Sequence, residues 1–431
     1  MQQTITVGLL GLGTVGSGVI EILRDHQEQI QHKTGCAVTI KSALVSDLSK
    51  PRDLHGEAIQ LTDRYEDITR DADIDVIVEV MGGIDHTLPI LLEAIENKKH
   101  IVTANKDLIA QHGAALYEAS QQHQTDLYYE ASVAGGIPII RSIIDGLASD
   151  RITKMMGIVN GTTNYIMTKM AQDGVDFDTV LKEAQDLGFA EADPTADVDG
   201  LDAARKMAIL SILGFSMPFQ LDDVEVKGIR GVTQDDIRYA EELGYRIKLI
   251  GVAEHDEAGV AVSVEPCLLP VQHPLSSVND EFNAVYVYGE AVGETMFYGP
   301  GAGKLPTATA VVSDLIAVVK NIRLGTTGTD QVQPQFPNQL KDKKEKQTKK
   351  YIRLQVLDEP GVLNEITQVF AGYGVSFDQV IQRSTDQPDQ RELTLMTHLV
   401  SDQDIEQATH DLEGMRSVSA INSIYRVEGG N

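Results

Sequence analysis

Five carboxylates, Glu191, Asp193, Asp197, Asp199 and Asp202, crowd the stretch AEADPTADVDGLDAARKMAIL just ahead of Arg205 and Lys206. Asp202 and Lys206 stand at i and i+4, so on a helix their side chains share one face. Two chemistries fit that spacing. One is a solvated helix start, with Asp199 and Asp202 as a capping-box-like pair, Gly214 as the C-terminal stop, and a surface ion pair worth little. The other is a substrate clamp. Leu201, Ala204, Ala208, Ile209 and Ile212 make the helix mostly apolar, a partly buried lysine has a tunable pKa suited to acid–base work, and carboxylates beside it can hold an ammonium group.

Three further segments carry polar chemistry. Thr103-Ala104-Asn105-Lys106 follows the C-terminal end of a strand, where α/β sheets hold their ligands. Lys106 is then either a charged partner for a substrate or a helix-start residue behind an Asn105 cap. EASVAGGIP, residues 130–138, either turns carbonyls inward as ligands for a monovalent cation or serves as a hinge. GIVNGTTNY, residues 157–165, sets hydroxyls and amides before a helix, to grip a small polar ligand or to cap.

The elements that must position these groups begin with an apolar strand at residues 5–10, then Gly11-Leu12-Gly13-Thr14-Val15-Gly16, then a helical pattern through Val15, Val19, Ile20 and Leu23. A GxGxxG between strand and helix is a dinucleotide fingerprint: the glycines allow a tight turn, close backbone approach to a pyrophosphate, and close helix–strand packing. Strands at VTIKSALVSD, IDVIVEVMGG and KKHIVTANK alternate with helical spacers such as TLPILLEAIENK, the signature of an α/β, Rossmann-type doubly wound parallel sheet. Asp47 after the second strand favours a free ribose 2′-hydroxyl and Lys50 and Arg52 a 2′-phosphate, unless the loop is merely solvated; NAD and NADP both stay open.

Beyond about residue 132 the texture becomes that of a second, α+β domain, and GPGAGKLPTATAVVSDLIAVVKNI is a glycine turn before a long apolar helix. A polar stretch with two prolines and a lysine cluster reads as a linker. From Tyr351 a strand, the helix VLNEITQVFAGYG, two strands, a helix and a last strand give βαββαβ, a ferredoxin-like module. The expected division is 1–135 with 299–325 as nucleotide-binding domain, 136–298 as catalytic and dimerisation domain, 326–350 as linker and 351–431 as the terminal module.

A net charge of -28 and a pI near 4.7 argue against nucleic acid and membrane as partners. Cys36 and Cys267 have no metal-ligand spacing and no setting for a nucleophile, which suits a reducing cytoplasm. The N-terminus lacks a basic leader, and no apolar run is expected to reach membrane-spanning length.

Taken together, GLGTVGSGV, TANK, EASVAGGIP, GIVNGTTNYI, GFAEADPTADVDGLDAARKMAIL and GPGAGKLPTA resemble homoserine dehydrogenase, in order along the first three quarters of the chain. LDEPGVLNEITQVFAGYGVSFDQV resembles an ACT domain, a regulatory amino-acid-binding module. The resemblance implies reversible NAD(P)H-dependent reduction of L-aspartate 4-semialdehyde to L-homoserine, in threonine and methionine biosynthesis. It implies Lys206 as proton donor, Lys106 as a second charged partner, and Glu191, Asp202 and Thr162 as substrate-binding residues. The coenzyme would meet Gly11 to Gly16, Thr103, Lys106, Gly188 and Gly303. Carbonyls of Glu130, Val133, Gly135 and Ile137 would hold a sodium ion. Ser46 stands where many relatives have a basic residue, which leaves strict NADP preference in doubt.

Asp358, Gly361 and Asn364, at the strand-to-helix turn of the ACT-like module, would receive an amino acid; the family suggests threonine inhibition, although a module used only for oligomer contacts is the alternative. A homodimer through the middle domain, or a homotetramer through the terminal one, is implied. A non-catalytic amino-acid sensor is the competing function, and the intact acid and lysine motifs speak against it.

Overall fold

The structure is a computed structural model and describes residues 4–329 and 334–429; residues 330–333 of the expected linker lie outside the described residues. Two compact units result, residues 1–152, 205–222 and 283–337 in the first and 153–204, 223–282 and 338–431 in the second.

The first unit is built on β1 (Thr4–Leu10), β2 (Ala37–Leu44), β3 (Gln60–Thr62), β4 (Val76–Glu79), β5 (His100–Thr103) and β6 (Leu127–Tyr128). Their order is β3-β2-β1-β4-β5-β6, with every pairing parallel. This is the doubly wound order, whose switch point falls between β1 and β4. Helices cover both faces of such a sheet, and β4 is accordingly buried at every position. The helix Thr14–Asp25 buries Val19, Ile20 and Leu23 in one core with Ala308, Val311, Leu315 and Val318 of the helix Lys304–Leu324. The two helices meet at Gly18, where a methyl group would lie 2.8 Å from the Lys304 carbonyl oxygen. By length and composition alone the 21-residue helix Lys304–Leu324 could cross a membrane, contrary to the expectation that no run is long enough. Its apolar residues are instead part of the sheet's core.

The second unit contains β7 (Ile152–Ile158, from its second residue), β8 (Glu225–Val226), β9 (Tyr245–Asp256) and β10 (Gly259–Pro270), the last two a long antiparallel hairpin. β11 (Phe282–Gly289) and β12 (Gly293–Pro300) belong mainly to the first unit. The terminal module comprises β13 (Gln347–Leu357), β14 (Phe377–Ser384), β15 (Gln390–Thr397), β16 (Val400–Ser401) and β17 (Val418–Val427), with helices Val362–Gly372 and Asp402–Glu413. Its order β17-β13-β15-β14, antiparallel throughout, is ferredoxin-like. Ile352, Leu354, Ile366, Phe370, Leu395 and Leu412 fill its core. Strand β13 starts at Gln347, four residues ahead of the expected Tyr351.

β17 also pairs in parallel with β10, through Cys267↔Arg426 and Leu268↔Val427, so the module's sheet continues into that of the second unit. Hence residues 338–431 cluster with 153–204, whereas 136–152, 205–222 and 283–298 cluster with the nucleotide-type sheet.

Candidate active site

At the switch point the glycines are spaced by steric need. Gly11 has φ +101 and a Cβ there would lie 2.9 Å from the Met81 backbone; at Gly16 it would lie 2.3 Å from the Gly11 carbonyl oxygen. Gly13, in contrast, faces open space and begins the helix Thr14–Asp25 with no side-chain cap and no acid in the first turn. The result is a concave backbone cradle at a positive helix end, which fits a pyrophosphate. Gly303, at φ +118, starts the helix Lys304–Leu324, again without a side-chain cap. In the loop after β2, the Asp47 carboxylate accepts from Ser49 N and Oγ at 2.8 and 2.6 Å, which holds it below the usual carboxylate range. Arg52 donates to the Asp47 and Lys50 carbonyls.

Across the switch point, Thr103 donates to Glu79 Oε2 at 2.5 Å, while Glu79 Oε1 accepts from Met81 N and Gly82 N, both at 2.9 Å. Glu79 is fully buried, and burial pushes its carboxyl up against those donors. Glu79 is not among the residues expected at the site; its signal in the sequence is a lone carboxylate inside an apolar strand. Asn105 caps the helix Lys106–His123 through Leu108 N at 3.1 Å and donates to the Gly83 carbonyl at 2.6 Å. Lys106 is thus the first residue of a helix whose start is held by β4 and β5 together, and it is half-buried.

The loop of residues 130–137 is almost wholly buried, with Ala134 at φ +53 and Gly135 at φ +44. The Glu130 carboxylate is used locally: it accepts from Ile140 N at 2.7 Å and Arg141 N at 2.8 Å. The Glu130 and Ile137 carbonyls each accept one backbone N–H, from Val133 and Ile139, leaving a second lone pair on each. Backbone carbonyls with a lone pair to spare are the ligand type that suits a hard monovalent cation. Among the described residues there is no cluster of His, Cys, Asp or Glu side chains able to hold a metal.

In the second unit the acidic stretch sorts into separate jobs. Asn160 caps the helix Gly161–Asp173 through Thr163 N at 2.8 Å, and its amide nitrogen donates to Asp197 Oδ1 at 2.7 Å and Asp202 Oδ2 at 2.8 Å. The capping alternative for residues 157–165 is thus met at Asn160, whereas its bridge to Asp197 and Asp202 was not expected. Asp193 accepts from Thr195 N at 3.1 Å, a contact that lowers its pKa. Asp199 does not cap the lysine-bearing helix: its carboxylate pairs with Arg230 Nε at 2.5 Å. The cause is Gly200, at φ +85, which separates Asp199 from the helix Leu201–Phe215 and leaves it to close the preceding turn, Thr195–Val198. Nor does that helix stop at Gly214; it continues to Phe215, whose ring is buried.

Asp202 and Lys206, 4% and 9% exposed, lie one turn apart on this helix, so the surface ion-pair reading fails. Thr162 donates to the Phe189 carbonyl at 2.7 Å, tying the helix Gly161–Asp173 to the loop that carries Gly188 and Glu191. Gly188, at φ +78, and Glu191 are both exposed. Asn164 donates to the carbonyls of Val278, Asp280 and Phe282, and Lys248 donates to Asn164 Oδ1 at 3.1 Å and the Val278 carbonyl at 2.7 Å. Burial brings Lys248 down to about 7. Within the first unit, Arg205 Nε lies 2.9 Å from Asp107 Oδ1. Cys36 and Cys267 are buried, and burial pushes the Cys267 thiol up, away from thiolate chemistry.

In the terminal module Asp358 pairs with Arg391 Nη2 at 2.5 Å, Gly361 starts the helix Val362–Gly372 at φ +101, and Asn364 is exposed on its first turn. The opposite sheet face meets the helix Gln234–Glu242 through a buried polar cluster. Asp236, fully buried, accepts from Arg353 Nε at 2.8 Å, Ser423 Oγ at 2.6 Å and Tyr425 OH at 3.0 Å. Arg353 also donates to Glu392 and Thr233, both at 3.2 Å.

Comparison with known proteins gives the family. The family description "Homoserine dehydrogenase, NAD binding domain" matches residues 11–130, "Homoserine dehydrogenase" matches 138–316, and "ACT domain" matches 350–414. A homoserine dehydrogenase of Bacillus subtilis (strain 168) is 54% identical over 429 residues, 99% of each chain. A solved homoserine dehydrogenase from Thiobacillus denitrificans superposes with a TM-score of 0.93 at 40% identity, over 99% of each chain. One from S. aureus does so with a TM-score of 0.79 at 37% identity, over 100% of each. With that likeness along its whole length, this chain belongs to the homoserine dehydrogenase family of NAD(P)-dependent oxidoreductases and carries the ACT domain as well.

Proposed function

We propose that this chain reduces L-aspartate 4-semialdehyde to L-homoserine, reversibly, with Lys206 as the proton donor. The observation that carries the reading is the buried turn in which Asp202, oriented by the Asn160 amide at 2.8 Å, precedes a buried Lys206. When bound, the nicotinamide supplies the hydride that enters the aldehyde carbon. The Lys206 ammonium gives its proton to the oxygen as charge develops there and is reprotonated from solvent, so the aldehyde gains two hydrogens and becomes a hydroxyl. Asp202 and Glu191 hold the substrate's ammonium and hydroxyl end, Thr162 positions it, and Lys106 supplies a second positive charge. Held in register, these groups give the reacting atoms the proximity that such transfers need.

The backbone of Gly11 to Gly16, with Thr103, Lys106, Gly188 and Gly303, borders the coenzyme. Ser49 engages the Asp47 carboxylate, and Arg52 lies in the same loop, so NADP and NAD both find partners there. The backbone carbonyls of Glu130, Val133, Gly135 and Ile137 would hold a sodium ion. Residues 1–135 with 299–325 form the nucleotide-binding domain, 136–298 the catalytic and dimerisation domain, 326–350 a linker and 351–431 the regulatory ACT domain. L-threonine binds at Asp358, Gly361 and Asn364 and inhibits. The working form is a cytoplasmic homodimer or homotetramer.

The test follows NADPH and, separately, NADH oxidation with L-aspartate 4-semialdehyde, with and without threonine. Oxidation of at least one coenzyme is expected, slowed by threonine. No oxidation of either would remove the activity, and equal rates with and without threonine would remove the regulation.

A further inference from the structure

Asp107 and Arg205 have no part in the chemistry above, yet each adjoins a lysine that does. Asp107 follows Lys106 in the first turn of the helix Lys106–His123, and Arg205 precedes Lys206 in the helix Leu201–Phe215. Both lie in the first unit, with Arg205 Nε 2.9 Å from Asp107 Oδ1. The two atoms are buried and neither meets hydrogen-bond geometry with any partner among the described residues, so the contact is one of charge. Each is also the other's only ion-pair partner among those residues. The rest of each side chain reaches solvent, Asp107 being 36% and Arg205 22% exposed, so taking either charge away removes the contact without stranding a buried ion.

We propose that the Asp107–Arg205 pair is a positioning device that sets the spacing between Lys106 and Lys206; the inference rests on the reading of those lysines as the charged groups of the site. Neighbouring Cα atoms stand about 3.8 Å apart, so a contact that pins residue 107 to residue 205 fixes where both lysine side chains begin. The Lys106 end is independently rigid, because Asn105 is locked to Leu108 and Gly83. The Lys206 end is carried by the helix Leu201–Phe215, to which Arg205 gives a charged anchor. A displacement of about 1 Å at a reacting centre costs about 10²-fold in rate, so an anchor one residue from each lysine matters to turnover. The plainer role for Asp107 is an acid at a helix N-terminus, which affects stability alone.

Asp107→Asn, Arg205→Gln and the double variant, made in the full chain, separate these roles. The readouts are kcat, KM for L-aspartate 4-semialdehyde, NADPH affinity and Tm. Positioning predicts that each single change lowers kcat about tenfold or more with NADPH affinity within about twofold, and that the double variant is no worse than the poorer single one. Singles with unchanged kcat, or losses that multiply in the double, would overturn it. Arg205→Lys is the second probe if Asp107→Asn fails to fold: it retains the charge and moves it, so kcat should fall with Tm unchanged, and an unchanged kcat refutes the inference. Lys206→Ala runs alongside. If it abolishes turnover while the pair variants are silent, the positioning inference alone is lost. If it too leaves turnover intact, the reading of the lysines fails and the inference falls with it.

Discussion

Asn160→Asp replaces one amide group by a carboxyl and should convert a clamp into a proton trap. The new side chain keeps the oxygen that caps Thr163, but the amide that donated to Asp197 at 2.7 Å and Asp202 at 2.8 Å becomes a third acceptor. Two unit charges 2.8 Å apart repel by about 6 kcal/mol at an effective dielectric constant of about 20. Two such contacts would exceed much of a domain's stability, so the cluster takes up a proton instead. A protonated carboxyl at this position donates only one hydrogen bond, so one charge-assisted bond, about 1.5–3 kcal/mol, is lost outright. Proton uptake costs a further ~1.4 kcal/mol for each pH unit above an ordinary aspartate pKa of about 3.9.

The penalty is therefore about 7–9 kcal/mol at a pH of about 8 and about 4–5 kcal/mol at about 5.5. Its sign follows from proton counting: the folded variant holds a proton that the unfolded chain releases, so stability relative to the parent falls as pH rises from about 4 towards the raised folded pKa. Urea unfolding of parent and variant between those pH values measures the slope. Asn160→Ser, which keeps a capping oxygen without a charge, should show a loss that does not vary with pH. A penalty for Asn160→Asp that is equally flat, or under about 0.5 kcal/mol, would refute the bridge.

Three further outcomes are expected. Gly16→Ala, with its methyl 2.3 Å from the Gly11 carbonyl oxygen, should lower Tm and abolish coenzyme binding, whereas Gly13→Ala, facing open space, should keep Tm and weaken only NADPH binding, as read by fluorescence titration. Arg353→Met, which strands the buried carboxylates of Asp236 and Glu392, should cost about 3–5 kcal/mol in urea unfolding, and part of that should return on adding Asp236→Asn. Lys248, lowered by burial to about 7 from 10.5, binds its proton less readily folded than unfolded, so it contributes stability that rises with pH across that window; Lys248→Met should flatten the rise.

Local order was the legible part of the sequence. Buried runs such as VIVE and the glycine turn at residues 11–16 announce β4 and the cradle because their constraints lie within a few residues. Alternation likewise gives the βαββαβ order of the terminal module. What stayed hidden depends on partners distant in the chain. Asn160 and Asp202 are 42 residues apart, and Asp107 meets Arg205 across nearly a hundred. The two capping departures have separate causes. A helix can continue through Gly214 because a glycine there costs only about 1 kcal/mol while Leu213 and Phe215 gain burial. Asp199 finds Arg230, which no local pattern reveals.

The central claim is that Lys206 delivers the proton, and rapid-mixing oxidation of bound NADPH by L-aspartate 4-semialdehyde tests it most directly. Lys206→Ala should bind NADPH as the parent does and transfer hydride about 10²-fold more slowly or worse. A Lys206→Ala variant that oxidises NADPH at the parent rate would contradict the account.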